Sequence, residues 1–293
     1  MDRDAMEHGR ELELRGGPDA VLLLHGLTGS TFEVAPIARA LHADGLRCLA
    51  PVMAGHGGAP QELVGVTWSE WVAKARRDLA RLEGARRTFV VGCSMGALVA
   101  CALAHEHPER VDGLVLLAPA LELTFPGRVG ALLGSLPLLR SVIAPKRAGS
   151  DVRDPEMKAR NPGLPGVPLG AVAELRALQR HVDAQLPGIA APALVVMGQH
   201  DHTVTLDGAR RLARRIGSGP AELIVLEQSY HLIGIDVERD RCAEAAAAFL
   251  AALPVPGRPE RPRARAAPGR KPASRPKRNP KPKRPRARRA RRR

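Results

Sequence analysis

Residues 90–98 read "VVGCSMGAL": a serine with a glycine two residues before it and another two residues after, directly behind β-branched residues. The pattern reads as strand, sharp turn and helix. "RTFVVG" (87–92) has the composition of a strand, and "MGALVACALAHEHP" (95–108) that of a helix ended by Pro108. A turn this tight holds Ser94 in a strained backbone conformation with its hydroxyl raised above the strand end. Gly92 and Gly96 are then needed because side chains there would collide across the turn. The backbone N–H of Met95 falls at the start of the following helix, where partial positive charge favours an anion. The other reading of Ser94 is a small polar residue in a turn. In a chain with 29 glycines the bare pattern does not decide between them. The decision rests on whether the chain also supplies a base, an orienting acid and a second oxyanion donor.

Working outward from that turn, strand and helix signals alternate. "AVLLLHG" (20–26) is an apolar strand, "EVAPIARALHADG" (33–45) a helix with a glycine stop, and "LRCLAP" (46–51) the next strand. A helix starts near Trp68, with Thr67 as its N-cap and Glu70 completing a capping box. "GLVLLAP" (113–119) and "PALVVMG" (192–198) are continuous apolar runs, suited to strands covered on both faces. "GARRLARRI" (208–216), "AELIVLE" (221–227) and "ERDRCAEAAAAFLAAL" (238–253) complete the series as helix, strand and helix. Such alternation predicts an α/β fold, a mostly parallel sheet with helices on both faces. Residues 121–190 break the rhythm. They are rich in Pro and Gly, with a helical stretch at 170–186, and are expected to form a small cap insertion above the carboxyl ends of the strands. The Leu-rich "VGALLGSLPLL" (129–139) within it is expected to face an aliphatic chain.

The formal charge of +15 is confined to the C-terminus. Residues 254–293 hold 18 Lys and Arg against one acidic residue, Glu260, leaving 27 basic and 29 acidic residues in 1–253. The tail has ten prolines and no aromatic residue, a composition unable to bury a core, and is expected to be disordered. It resembles the basic tails of linker histones, which implies weak, non-specific contact with nucleic acid or another polyanion; a solubilising extension is the other reading. The domain proper is therefore 1–253. Its charged N-terminus is unlike a signal peptide, and no stretch approaches a membrane span. Cys48, Cys93, Cys101 and Cys242 lie in apolar segments without metal or redox spacing and read as reduced thiols of a cytoplasmic protein.

The groups that Ser94 needs lie behind other strands. "LLLHGLTGS" (22–30) offers the Leu27 N–H as second oxyanion donor, with His25 as a structural hydrogen-bonding residue and not the base. "QHDHTV" after the strand at 192–198 gives Asp201, and "QSYHLI" after the strand at 221–227 gives His231. The order nucleophile, acid, base is one of the known chain orders for such a triad. Asp207 is the nearest competing carboxylate; His231 has no competing histidine after the last strand. "HDH" (200–202) has too few converging donors for a metal, and no cofactor or metal is implied. Trp68 and Trp71 share a helix face and read as packing residues.

Over roughly 20–252 the chain resembles the α/β-hydrolases, and more narrowly bacterial carboxylesterases and monoacylglycerol lipases. "HGLTGS", "GHG" (55–57), "GCSMG", "HDHTV" and "LEQSYHLIGID" carry the likeness. The resemblance implies Ser94 as nucleophile, Asp201 as acid and His231 as base, with Leu27 and Met95 as oxyanion donors. It departs at Ala97, where the family usually has a second glycine, and in the cap. In the similar lipases an acidic cap residue contacts the glycerol hydroxyls; "SDVRDPEMK" (150–158) aligns with that region and makes Glu156 the candidate substrate contact, with Asp154 as its rival. The expected activity is hydrolysis of small esters, monoacylglycerols or short- to medium-chain carboxylesters. A thioesterase or acyltransferase with the same triad, or a polyanion-binding protein with an incidental hydrolase domain, are the alternatives.

Overall fold

The alternation of side chains along four apolar strands divides the interior into two layers. The structure is a computed structural model and describes residues 9–255. Leu22, Leu24, Val90, Leu114, Leu116, Val195 and Met197 point to one side of the sheet. Their neighbours Val21, Leu23, Val91, Val115, Leu117, Leu194 and Val196 point to the other. Both sides must therefore be covered, which is why these runs are apolar at every position. Each side chain of this kind contributes about 1.5–3 kcal/mol when fully buried.

The strands are β1 (Leu12–Leu14), β2 (Ala20–Leu24), β3 (Arg47–Ala50), β4 (Thr88–Cys93), β5 (Gly113–Leu117), β8 (Ala193–Gly198) and β9 (Glu222–Leu226), in the order β1-β3-β2-β4-β5-β8-β9. All neighbours are parallel except β1, which runs antiparallel to β3 at the edge. The sequence reading missed β1 because three residues, "LEL", are too short to show a period. Helices α1 (Ala35–Ala43) and α8 (Arg239–Ala252) cover one face. On the other lie α2 (Trp68–Ala80), α3 (Met95–Glu106), α6 (Leu169–Gln185) and α7 (Leu206–Arg215). The Thr67 N–H donates to the Glu70 carboxylate at 2.8 Å at the start of α2, as the capping box requires. Trp71 is fully buried, and Trp68 packs its ring on His181.

Between β5 and β8 the chain forms α4 (Phe125–Gly134), a short hairpin of β6 (Ile143–Pro145) with β7 (Gly166–Pro168), α5 (Pro155–Arg160) between its strands, and then α6. The Leu-rich stretch departs from expectation. Leu132, Leu136 and Leu138 are 69%, 51% and 92% exposed, so this face of α4 and the turn after it looks outward. The reason is packing: Ala131 and Gly134 are the buried face of α4, and a Cβ on Gly134 would collide with the Leu169 carbonyl at the start of α6. None of the described helices is long and apolar enough to cross a membrane.

Candidate active site

The parallel register brings the ends of five strands, β2, β4, β5, β8 and β9, to one edge. Leu24 pairs with Gly92, Cys93 with Leu117, Leu117 with Val196, and Gly198 with Leu226, so the loops that follow all open on the same side. Ser94 sits between β4 and α3 with φ 55° and ψ −112°, the strained conformation expected of the turn. A Cβ on Gly92 would collide with the Gly96 carbonyl, and one on Gly96 with the Leu24 carbonyl of β2. Both glycines thus permit close backbone approach, which plants the serine over the sheet.

His231 Nε2 lies 2.9 Å from Ser94 Oγ, and His231 Nδ1 lies 2.7 Å from Asp201 Oδ2. Asp201 Oδ1 accepts from the Thr203 and Val204 N–H groups, both at 2.8 Å, so the carboxylate is fixed from behind. This fixes the tautomer: Nδ1–H donates to Asp201, and Nε2 accepts the serine proton. Burial alone would lower the His231 pKa; the Asp201 charge and hydrogen bond, with the charges of Asp151 and Glu33, outweigh it and raise it above the ordinary value. Asp207, the competing acid, lies in the first turn of α7, with an exposed side chain paired to Arg210.

Leu27 follows β2, and the peptide before it is held by Glu33: the Gly26 N–H donates to Glu33 Oε2 at 3.0 Å. Burial pushes the Glu33 carboxyl pKa up while that bond lowers it. The carboxyl lies flat against Gly29, leaving no room for a Cβ there. The amides of Leu27 and Met95 find no acceptor among the described residues, which leaves both available to an oxyanion. His25 is structural: it is buried, Nε2 accepts from the Met53 N–H at 3.1 Å, and burial drives its pKa down to about 3.

A cavity of about 320 Å³ opens over Ser94 and His231. Its lining includes the apolar side chains of Leu27, Leu123, Val172, Leu175 and Leu232 and the polar ones of Thr28, Lys146, Ser150, Asp151 and Thr203. Glu156 does not reach it. Asp154 N-caps α5 by accepting from the Glu156 and Met157 N–H groups, which turns Glu156 to solvent, where it pairs with Arg160. Asp154 itself pairs with Arg239. The acidic residue of this stretch that lines the cavity is instead Asp151. Its carboxylate takes the His202 N–H, His202 Nδ1 and the Thr203 hydroxyl, while its carbonyl accepts from the His231 and Leu232 N–H groups. It clips the acid loop to the base loop. The sequence reading missed Asp151, Glu33 and Lys146. An acidic residue between Phe32 and Val34 was a usable signal for Glu33, and Asp151 lay within the acidic stretch 150–158 that was read for Glu156 and Asp154; nothing local marked Lys146.

The family described as serine aminopeptidase, S33, matches residues 18–238. This chain belongs to that family. The hydrolase is 29% identical over 236 residues to a thermostable monoacylglycerol lipase of Bacillus sp. (strain H-257), covering 80% of this chain and 91% of the lipase. It is 27% identical over 241 residues to a carboxylesterase of Bacillus subtilis (strain 168), covering 82% and 95%. Among solved structures it is similar to that reported for LipS and LipT, two metagenome-derived lipolytic enzymes, with a TM-score of 0.76, 27% identity and coverage of 83% and 98%. The hydrolase therefore has the α/β-hydrolase fold, as its motifs implied.

Proposed function

We propose that this hydrolase cleaves carboxylic esters, monoacylglycerols or short- to medium-chain carboxylesters, through an acyl-enzyme on Ser94. His231 takes the Ser94 proton as the hydroxyl attacks the ester carbonyl, and Asp201 orients the ring and stabilises its cation. The Leu27 and Met95 N–H groups receive the negative charge of the tetrahedral intermediate, each such donor being worth about 10²–10³ in kcat. The alcohol leaves with the proton from His231, and water repeats the sequence on the acyl group. The observation that carries this reading is the unbroken hydrogen-bonded chain Ser94–His231–Asp201 at 2.9 and 2.7 Å, opening on a largely apolar cavity. Residues 121–190 act in it as a cap that shapes the acyl site. The names of the lipase and esterase relatives support the substrate class.

Labelling by a fluorophosphonate probe, lost in Ser94→Ala, followed by turnover of an acyl-chain-length panel, tests the reading. Failure of the wild-type protein to label would overturn it. Four free, buried thiols support a cytoplasmic protein. The basic residues 256–293, whose expected disorder lies outside the described residues, are proposed to make weak, sequence-independent contacts with polyanions.

A further inference from the structure

Lys146 stands in the cavity wall, directly after β6, with its Nζ 3.1 Å from the Thr28 hydroxyl. Its position is fixed by the backbone: the Lys146 N–H donates to the Pro165 carbonyl at 2.8 Å, extending the β6–β7 ladder. Thr28 follows Leu27, so the ammonium lies beside the oxyanion loop. Thr28 sends its own proton to the Leu27 carbonyl at 2.6 Å and offers Lys146 only a neutral oxygen.

An ammonium has three N–H donors, and this one meets a single acceptor among the described residues. The cavity's carboxylates do not take the rest. Asp151 is occupied by two donors of His202 and one of Thr203. Glu33 is bound to the Gly26 N–H and forms no ion pair with Lys146 among the described residues; burial lowers the Lys146 pKa, and the Glu33 charge opposes that. A neutral ester would leave this cation partly desolvated and unmatched, which is costly. An anion in the cavity would satisfy it through charge-assisted hydrogen bonds.

We propose that Lys146 selects ester substrates bearing an anionic group, a carboxylate or phosphate, which pairs with its ammonium while Ser94 attacks the ester carbonyl. The aliphatic part of such a substrate packs on Leu123, Val172 and Leu175. The proposal rests on the ester-hydrolase reading and deepens it. Two substrate pairs locate the anion: monomethyl adipate against methyl hexanoate places it on the acyl side, and butyrylglycerol phosphate against monobutyrin on the alcohol side. Acid release is followed by pH-stat titration for wild type, Lys146→Met and Lys146→Arg. In at least one pair, Lys146→Met should lower the charged-to-neutral ratio of kcat/KM about tenfold, whatever change is common to both members, and Lys146→Arg should keep most of the wild-type ratio. Ratios in both pairs that are the same in Lys146→Met and wild type would overturn the proposal while the ester-hydrolase reading stands. No turnover of any of the four esters by wild type would sink that reading, and this one with it.

Discussion

Among the described residues Ser94 has one basic partner, His231, and that pairing fixes what its removal does. Ser94→Ala should lower kcat on a soluble ester by roughly 10⁴-fold or more with an unchanged melting temperature, because triad members act as a unit. Wild-type turnover in the purified variant would exclude Ser94 as nucleophile. In the proposed mechanism His231 acts as the neutral imidazole and so sets the pH profile, and its pKa stands above the ordinary value. kcat/KM should therefore be flat at alkaline pH and fall tenfold per unit below an inflection higher than about 6.5. Asp201→Asn removes the charge that raises that pKa, so the acid limb of the residual activity should move to lower pH. A limb that stays in place would assign the inflection to another group.

At the scale of elements, the turn between β4 and α3 leaves no volume for another atom. Gly96→Ala drives a methyl into the Leu24 carbonyl of β2. Overpacking of this kind costs about 1–3 kcal/mol, which for a domain of this size lowers Tm by about 2–12 °C in a thermal melt. Between β5 and β8, the faces of two helices differ. Val172 and Leu175 of α6 line the cavity, whereas Leu132 of α4 looks outward. Val172→Trp should shift preference to shorter acyl chains, by several-fold per carbon since a methylene is worth about 1 kcal/mol or less. Leu132→Ser should leave the chain-length profile as it is. A profile moved by Leu132→Ser alone would mean that the outward face of α4 handles the acyl chain.

For the whole molecule, the charge division gives a clean cut. The carbonyl of Leu253 accepts from Arg87 at 2.7 Å, and Arg87 is paired with Asp19, so the end of α8 is tied to the sheet. Truncation after Val255 keeps that tie and removes all the excess positive charge, leaving 27 basic against 29 acidic residues. Tm and kcat on a soluble ester should not change, while retention on heparin should vanish. For the full chain, DNA binding measured by anisotropy should fall steeply between two salt concentrations. Salt-resistant DNA binding by the truncated form would place a recognition surface on the hydrolase domain.

Much of this molecule is written locally. Continuous apolar runs force strands covered on both faces, and Gly92 and Gly96 around Ser94 force the turn that presents it. Asp201 and His231 were legible because in a parallel sheet every strand end comes to one edge, so a position just behind a strand is already a position in space. The stretch between β5 and β8 follows no such rule. Leu132 and Leu138 face out although they are apolar, and Glu156 faces solvent although it lies in an acidic stretch, since the packing of α4 on α6 and the N-cap of α5 decide both. Asp151, Glu33 and Lys146 reach the site only because residues far apart in the chain meet there: Lys146 contacts Thr28 across 118 positions, and Asp151 contacts His202 across 51. A one-dimensional pattern records which residues neighbour each other along an element, and so it determined the fold and singled out Ser94, Asp201 and His231, which the structure brings within hydrogen-bonding distance. Which side chains complete the cavity depends on how separate elements are brought together, and the tertiary structure alone decided that.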